Sequence, residues 1–307
     1  MFFLILILFN LIYSGGAQAN VDPCAALGDL LRQNQAPLPL QIRACFDSFP
    51  FQIKIAKQTI DTLQELLPMY VFLKYYPQIW SKWPFTPNAE TSQPYKGDFQ
   101  FQELLSEALV PVYDGHLEYR PLCYRTFEFK QPLYVVAVVD SASATRLVIA
   151  GIDDDAPSNI KQYLGWEITA IDSKDAVDAI KEYGNTNYGK FRLARTRLTR
   201  ATATTFFDSS SKAFMLDRGF FFKRTRVPKT NAVTYTMRDP TSLKNATVSI
   251  TWSARFLPQP LDKYAFNGKQ QYWDTFCQLN PTGKGELRKQ EQPANSVDQM
   301  QGESLGQ

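Results

Sequence analysis

The chain carries one histidine, His116, within the stretch "PVYDGHLEYRPLCY" at residues 111–124. Imidazole is the side chain best suited to take up a proton near neutral pH, so His116 is the first candidate for a general base. Such a base acts only on a nucleophile within hydrogen-bond reach. Serine could supply one, and three stand together at Ser209, Ser210 and Ser211. Acyl transfer also needs backbone amides brought close to a developing oxyanion, which favours glycine and other small residues. The only Gly-Gly pair is Gly15-Gly16, and no glycine-bearing strand-to-helix elbow surrounds the three serines. They read as a polar loop.

Other chemistries have weaker bases. Asp153, Asp154 and Asp155 could hold a hard cation, but adjacent carboxylates diverge and the spacing of a calcium loop is absent, so a solvated turn is expected. No metal and no cofactor is expected. The stretch "KFRLARTRLTR" at 190–200 places five basic residues at helical intervals, which fits a solvated helix face over Leu193 and Leu198 better than an anion or membrane surface. The aromatic run "YYPQIWSKWPF" at 75–85 could form a ligand platform, although aromatics beside proline more often pack in a satellite core. With 33 basic against 30 acidic residues, a net +3, there is no basic footprint for nucleic acid.

The elements that must position these residues divide near residue 130. In "FQIKIAKQTIDTLQELLPMYVFLKYY" the apolar Ile53, Ala56, Ile60, Leu63, Leu67 and Val71 recur at three- and four-residue steps, one face of a helix. Pro68 must kink or restart it. A second helix is expected from an Asp98 N-cap through Phe101, Leu105, Leu109 and Val112, closing at Asp114-Gly115, with His116 just beyond. Residues 80–95 read as a loop. From about residue 127 the period becomes strand-like: "PLYVVAVVDS" and "TRLVIAGID" suggest a hairpin, and later strands are expected in "GFFFKRTRV", "AVTYTMR" and "TVSITWSARF". Between them, "GWEITAIDSKDAVDAIKEYG" reads as strand, turn and amphipathic helix with Ala176, Ile180 and Tyr183 inward. From Pro281 the chain is polar and lacks aromatics, so a disordered tail is expected.

The beginning, "MFFLILILFNLIYSGGAQA", reads as a secretory signal peptide. Phe2–Tyr13 is too short to span a bilayer, which needs about 20 residues, and Ala17 and Ala19 fit cleavage before Asn20. No Lys or Arg precedes the apolar run. No later segment is long and apolar enough to cross a membrane, so a secreted, extracellular protein is expected. Secretion makes Cys24, Cys45, Cys123 and Cys277 read as two disulfides. Three pairings are possible and loop closure does not choose among them. Cys24 and Cys45 flank a stretch that can close locally, which leaves Cys123 with Cys277, a long-range bridge worth about 4–5 kcal/mol in a chain-entropy account. Asn245-Ala246-Thr247 is an N-glycosylation acceptor in an expected hairpin loop.

The unit Gly165-Trp166-Glu167-Ile168-x-x-Ile171-Asp172 before a helix resembles the core of a PDZ domain, in which a sheet edge beside a helix accepts a peptide as an added strand. On that reading Gly165, Ile168, Ile171, Ala176 and Ile180 would bind peptide. More broadly, "DPCAAL", "RACFDSFPF", "TLQELLPMYVFLKYY", "VYDGHLEYRPLCYRTFEFKQPL", "GWEITAIDSKDAVDAI" and "YWDTFC" resemble, in order, the amino-terminal half of secreted tail-specific serine peptidases, in the branch of the chlamydial protease-like activity factor and its fungal relatives. The resemblance spans roughly residues 22–280 and implies that His116 holds the place of that branch's general base. The family's nucleophile lies in a later, glycine-rich domain with no counterpart in this sequence.

The expectation is therefore an α+β protein: signal peptide 1–19, helical domain 20–130, PDZ-like β-rich domain 131–280, polar tail 281–307. The function expected is peptide or protein binding, with a peptidase catalytic domain as one possible partner. The alternative is an active serine endopeptidase whose catalytic domain lies on a carboxy-terminal extension or a separate chain. A third reading is a structural or adhesive protein using the aromatic run.

Overall fold

Proline and a capping aspartate start the first helices. The computed structural model describes residues 21–69, 95–187 and 191–278, so the expected signal peptide, the aromatic run at 75–85 and the expected polar tail lie outside the described residues. Helix α1, Pro23–Arg32, opens on Asp22, whose carboxylate accepts the Cys24 N–H at 2.9 Å. Helix α2, Pro39–Asp47, also begins on proline. Helix α3, Ile53–Leu66, stops short of Pro68 and tightens into a 3₁₀ turn at Leu67–Met69. Ala56 and Leu67 are buried and Ile60 and Leu63 half-buried, while Ile53 faces solvent.

Helix α4, Asp98–Leu109, departs from expectation at both ends. Gly97 takes the cap position, where a Cβ would meet the Phe49 carbonyl oxygen at 2.7 Å. Asp98 is instead the first helical residue, buried, with its carboxylate accepting the Tyr124 hydroxyl at 2.8 Å. At the other end, Pro111 supplies no N–H and the chain tightens into a 3₁₀ turn at Val110–Val112. The left-handed residue that closes it is Tyr113 (φ 53°), not Gly115.

The β-rich part is antiparallel. Strands β1 (Phe127–Lys130), β2 (Leu133–Val139), β3 (Thr145–Ile152) and β4 (Glu167–Ile171) follow in sequence, with a short helix α5, Ser158–Lys161, between β3 and β4. Strand β5 (Lys174–Asp175) leads into helix α6, Ala176–Asn187; helix α7, Ala194–Ala201, precedes the hairpin β6 (Thr204–Asp208) and β7 (Ala213–Asp217). Then come β8 (Lys223–Arg224), β9 (Ala232–Arg238), β10 (Asn245–Thr251), β11 (Ser253–Phe256) and the short helices α8, Leu261–Tyr264, and α9, Lys269–Tyr272. The main sheet has the order β10-β9-β4-β3-β2, with β5 paired to β4, and a smaller sheet has the order β11-β1-β8. The β2–β3 hairpin turns on Asp140, whose carboxylate accepts the N–H groups of Ala142 and Ala144, each at 2.9 Å.

These elements form an α+β fold whose main core runs from Cys24 in α1 to Cys277 and crosses residue 130 without a break. Strand β1 lies before that position, yet pairs with β11 near the end of the described chain. Aromatic rings of Phe46, Phe99, Tyr124 and Tyr272 meet at centroid distances of 5.0–5.7 Å. Disulfides join Cys24 to Cys45 and Cys123 to Cys277. The first ties α1 to α2; the second ties the Leu122–Tyr124 turn to a turn of π-helix at Trp273–Cys277.

Candidate functional site

A cleft of about 970 Å³ lies between α2 and α4 on one side and α6 with residues 221–233 on the other. Helix periodicity explains how α6 serves both the core and this cleft. Ala176 and Ile180, one turn apart, are buried beneath it, while Ala179, Tyr183 and Thr186 line the opening. Helix α4 contributes Phe99, Glu103 and Glu107, and α2 contributes Arg43 and Asp47.

One corner of the cleft is built from ion pairs. The Arg226 guanidinium donates from Nε to Glu103 at 2.6 Å, from Nη2 to Glu107 at 2.6 Å and from Nη1 to Asn187 at 2.9 Å. Glu103 also pairs with Arg125 at 3.0 Å. Burial pulls the Arg226 pKa down, but the Glu103 and Glu107 carboxylates outweigh it and leave it raised. This corner fastens α4 to the segment after β8 and to the end of α6.

Two residues away, Arg224 is arranged differently. Its guanidinium carbon lies 4.3 Å from the Tyr183 ring centroid, 4.4 Å from Trp252 and 5.1 Å from Phe221. Nη2 donates to the Phe221 carbonyl oxygen, and the buried Nε has no acceptor. No carboxylate pairs with it among the described residues, and burial holds its pKa below the ordinary arginine value. Trp252 Nε1 and the Tyr235 hydroxyl, both buried nearby, also lack hydrogen-bond partners.

The residues expected to bind peptide do come together, but as core. Ile168, Ile171, Ala176 and Ile180 are all buried, and Gly165 is the exposed left-handed residue (φ 83°) of the turn before β4. Strand β4 has no edge to offer. Glu167 and Ile168 pair with β3 on one side and β9 on the other, and Ala170 and Ile171 lie between β5 and β9. The expectation of an added strand at Gly165–Ile171 is corrected here: β9, more than sixty residues downstream, occupies that edge.

His116 stands on an exposed loop, with its ring 88% accessible. Its Nδ1 lies 2.9 Å from Asp114 Oδ1, which also accepts the His116 backbone N–H at 2.8 Å. No serine is bonded to it among the described residues. The loop is anchored through Tyr113, whose ring lies 4.1 Å from the Arg197 guanidinium. Arg197 in turn donates to Asn185 at 2.7 Å and to the carbonyls of Phe191 and Arg192. So α7 buries Arg197 and Ala201 and packs Leu198 half-buried against the core, as expected, but leaves Leu193 exposed, a correction to the expected leucine face. The pinned segment 191–192 needs a donor-rich side chain that leucine lacks.

Ser209–Ser211 form the tip of the β6–β7 hairpin. Ser210 donates its hydroxyl and its N–H to Asp208, and these bonds lower the Asp208 pKa to about 2. Asp153 is an ion-pair residue rather than part of a solvated turn: Arg218 Nη1 donates to it at 2.9 Å and Lys130 Nζ lies 3.2 Å away. Burial raises its carboxyl, but these cations outweigh burial and leave it below the usual range. No group of three or more metal-ligating side chains occurs among the described residues. Asn245 is exposed at the first position of β10, just beyond the turn. No described helix is long and apolar enough to cross a membrane. Sequence reasoning missed Arg224, Arg226 and Glu103. The segment "GFFFKRTRV" read simply as a strand, and nothing local marks one arginine for two carboxylates and its neighbour for three rings.

No family model matches the chain, and no curated protein matches it. Among solved structures, the chain has a partial likeness to the crystal structure of mature CPAF, with a TM-score of 0.40 and 16% identity over 66% of this chain. The match takes in 35% of that structure, so the chain spans about a third of its length.

Proposed function

We propose that this chain is a secreted peptide- or protein-binding protein, related in architecture to tail-specific serine peptidases, and that it binds through the cleft between its helical and β-rich parts. The observation that carries this reading is the cleft itself: about 970 Å³, walled by aromatic and aliphatic side chains with charged groups at fixed positions. Binding sites for extended ligands combine an apolar surface with a few oriented polar groups. The ordered motifs of the sequence support the peptidase-like architecture, with a PDZ-like arrangement in residues 131–280. The two disulfides and the signal peptide reading support secretion. The test is capture of peptides from a random decapeptide array by the disulfide-bonded protein. Substituting Ala179 with Arg on the cleft side of α6 should abolish capture without changing the melting temperature. Capture that survives this substitution would place the site elsewhere.

A second reading has its own support. His116 is exposed, yet held in one orientation by Asp114, as a base is held by its orienting carboxylate. In this reading His116 serves a serine nucleophile supplied from outside the described residues, in a serine endopeptidase. Labelling by a serine-directed phosphonate that disappears in His116→Ala would establish it. A protein that neither reacts with the probe nor cleaves casein leaves the first reading standing.

A further inference from the structure

Arg224 is a half-buried cation with no carboxylate paired to it. Of its donors, one reaches a backbone carbonyl and the buried Nε reaches nothing. Three rings stack around it within 5.1 Å, and Arg226, a like charge, is the other ionised side chain that bears on it alongside the tyrosines Tyr183 and Tyr235. Leaving a charge and two further donors, Trp252 Nε1 and the Tyr235 hydroxyl, without acceptors is unfavourable, because each has given up water without compensation. The rings fix the plane of the guanidinium, and a planar fork is the geometry that pairs with two oxygens of one anion. Tyr183, Phe221, Arg224 and Trp252 all line the cleft, so an anion entering it can reach this place.

The five carboxylates that line the cleft are matched by five cations besides Arg224, so the walls do not select among anions by net charge, and a peptide ligand supplies its anion as a carboxylate. Resting on the proposal that the cleft binds peptides, we propose that Arg224 is the anchoring residue of the site and pairs with a carboxylate of the bound peptide, with the Trp252 N–H as a supporting donor. The carboxylate can be a chain terminus or an aspartate or glutamate side chain, and the two sources are separable.

The test uses the disulfide-bonded protein and the random decapeptide array, printed in three forms: free carboxy termini, amidated termini, and amidated termini with Asp and Glu replaced by Asn and Gln. Captured sequences should lose at least about tenfold in affinity when their anchoring carboxylate is neutralised, the worth of a charge-assisted hydrogen-bond pair. Loss on amidation assigns the terminus; loss only in the third form assigns a side chain. Arg224→Met should abolish the difference between forms, and Arg224→Lys should restore part of it. Trp252→Phe, which keeps the ring and removes the N–H, gives a smaller loss and serves if Arg224→Met does not fold. Capture that is indifferent to the three forms, or to Arg224→Met, overturns the anchoring role and leaves the cleft reading intact. Capture that survives substitution of the cleft wall at Ala179, or no capture at all, overturns both.

Discussion

Arg224 and Arg226 sit two residues apart beside one cleft, in opposite electrostatic settings. Arg226 is tied to two glutamates and an asparagine; Arg224 is wrapped in aromatic rings with no acid. A third arginine, Arg218, sides with Arg226. It is 1% exposed and engaged by Asp153, by the Gln131 carbonyl and by the Tyr134 hydroxyl. The contrast separates two uses of a buried guanidinium. Where carboxylates are built in, the cation fastens elements together; where they are withheld beside an open cleft, as at Arg224, we propose that it takes an external one. Burial alone does not distinguish the two, but the identity of the neighbours does.

The largest effect should come from breaking the fastened corner. Glu103→Ala strips a partner from both Arg125 and Arg226 and should destabilise the fold by about 3–5 kcal/mol, as removal of one member of a buried pair does. Urea denaturation reads this as a fall in the midpoint with unchanged slope. A change below about 1 kcal/mol, the scale of an exposed pair, would show that the corner does not hold α4 in place.

Asp153→Asn should come next, at about 1.5–3 kcal/mol near neutral pH, the worth of hydrogen bonds to a charged group. Its pH dependence has a definite sign. The folded-state pKa of Asp153 lies below the ordinary 3.8, so its contribution is complete above that value and is lost as the pH falls through the lower folded-state value. Melting temperature measured from pH 6 downward should therefore converge for wild type and variant below 3.8. Parallel curves would mean that the ionised pair is not the source of the difference.

The smallest effect on stability should be that of Arg224→Met. Removing an uncompensated charge from an aromatic cage should leave stability within about 1 kcal/mol of wild type or raise it. A loss comparable to Glu103→Ala would erase the contrast, because Arg224 would then be a structural residue like its neighbour.

Much of the framework is legible from local pattern. The 3.6-residue spacing located α3, α4 and α6, and alternation located β2, β3, β9 and β10, because each element advertises its buried face within its own residues. The short Cys24–Cys45 stretch suggested the pairing of cysteines that the two disulfides have, without excluding the other two pairings. What the sequence does not carry is adjacency between distant segments. Strand β4 reads identically whether its second edge is open or filled, and β9 fills it through pairs such as Ile171 with Tyr235. Likewise Leu193 outranks Arg197 on any hydropathy argument, yet Leu193 is exposed and Arg197 is turned inward beside Leu198, because carbonyls of the preceding loop need its donors. The cleft was missed for the same reason: its walls come from α2, α4, α6 and β8, and no local signal joins them.

Helix α1 is held by α2, through packing and the Cys24–Cys45 disulfide, and also by residues from the far end of the described chain. The carboxylate that caps it, Asp22, also accepts the Lys269 N–H, 247 positions later, and Arg32 reaches the Phe266 carbonyl at 2.7 Å. A Cβ on Gly28 would stand 2.0 Å from that same carbonyl oxygen, so the two segments meet backbone to backbone. During synthesis α1 leaves the ribosome on the order of tens of seconds before these partners exist, at the usual 5–20 residues per second. Through that interval α1 can pair with α2 alone, so its contacts with the far-end segment are among the last to form.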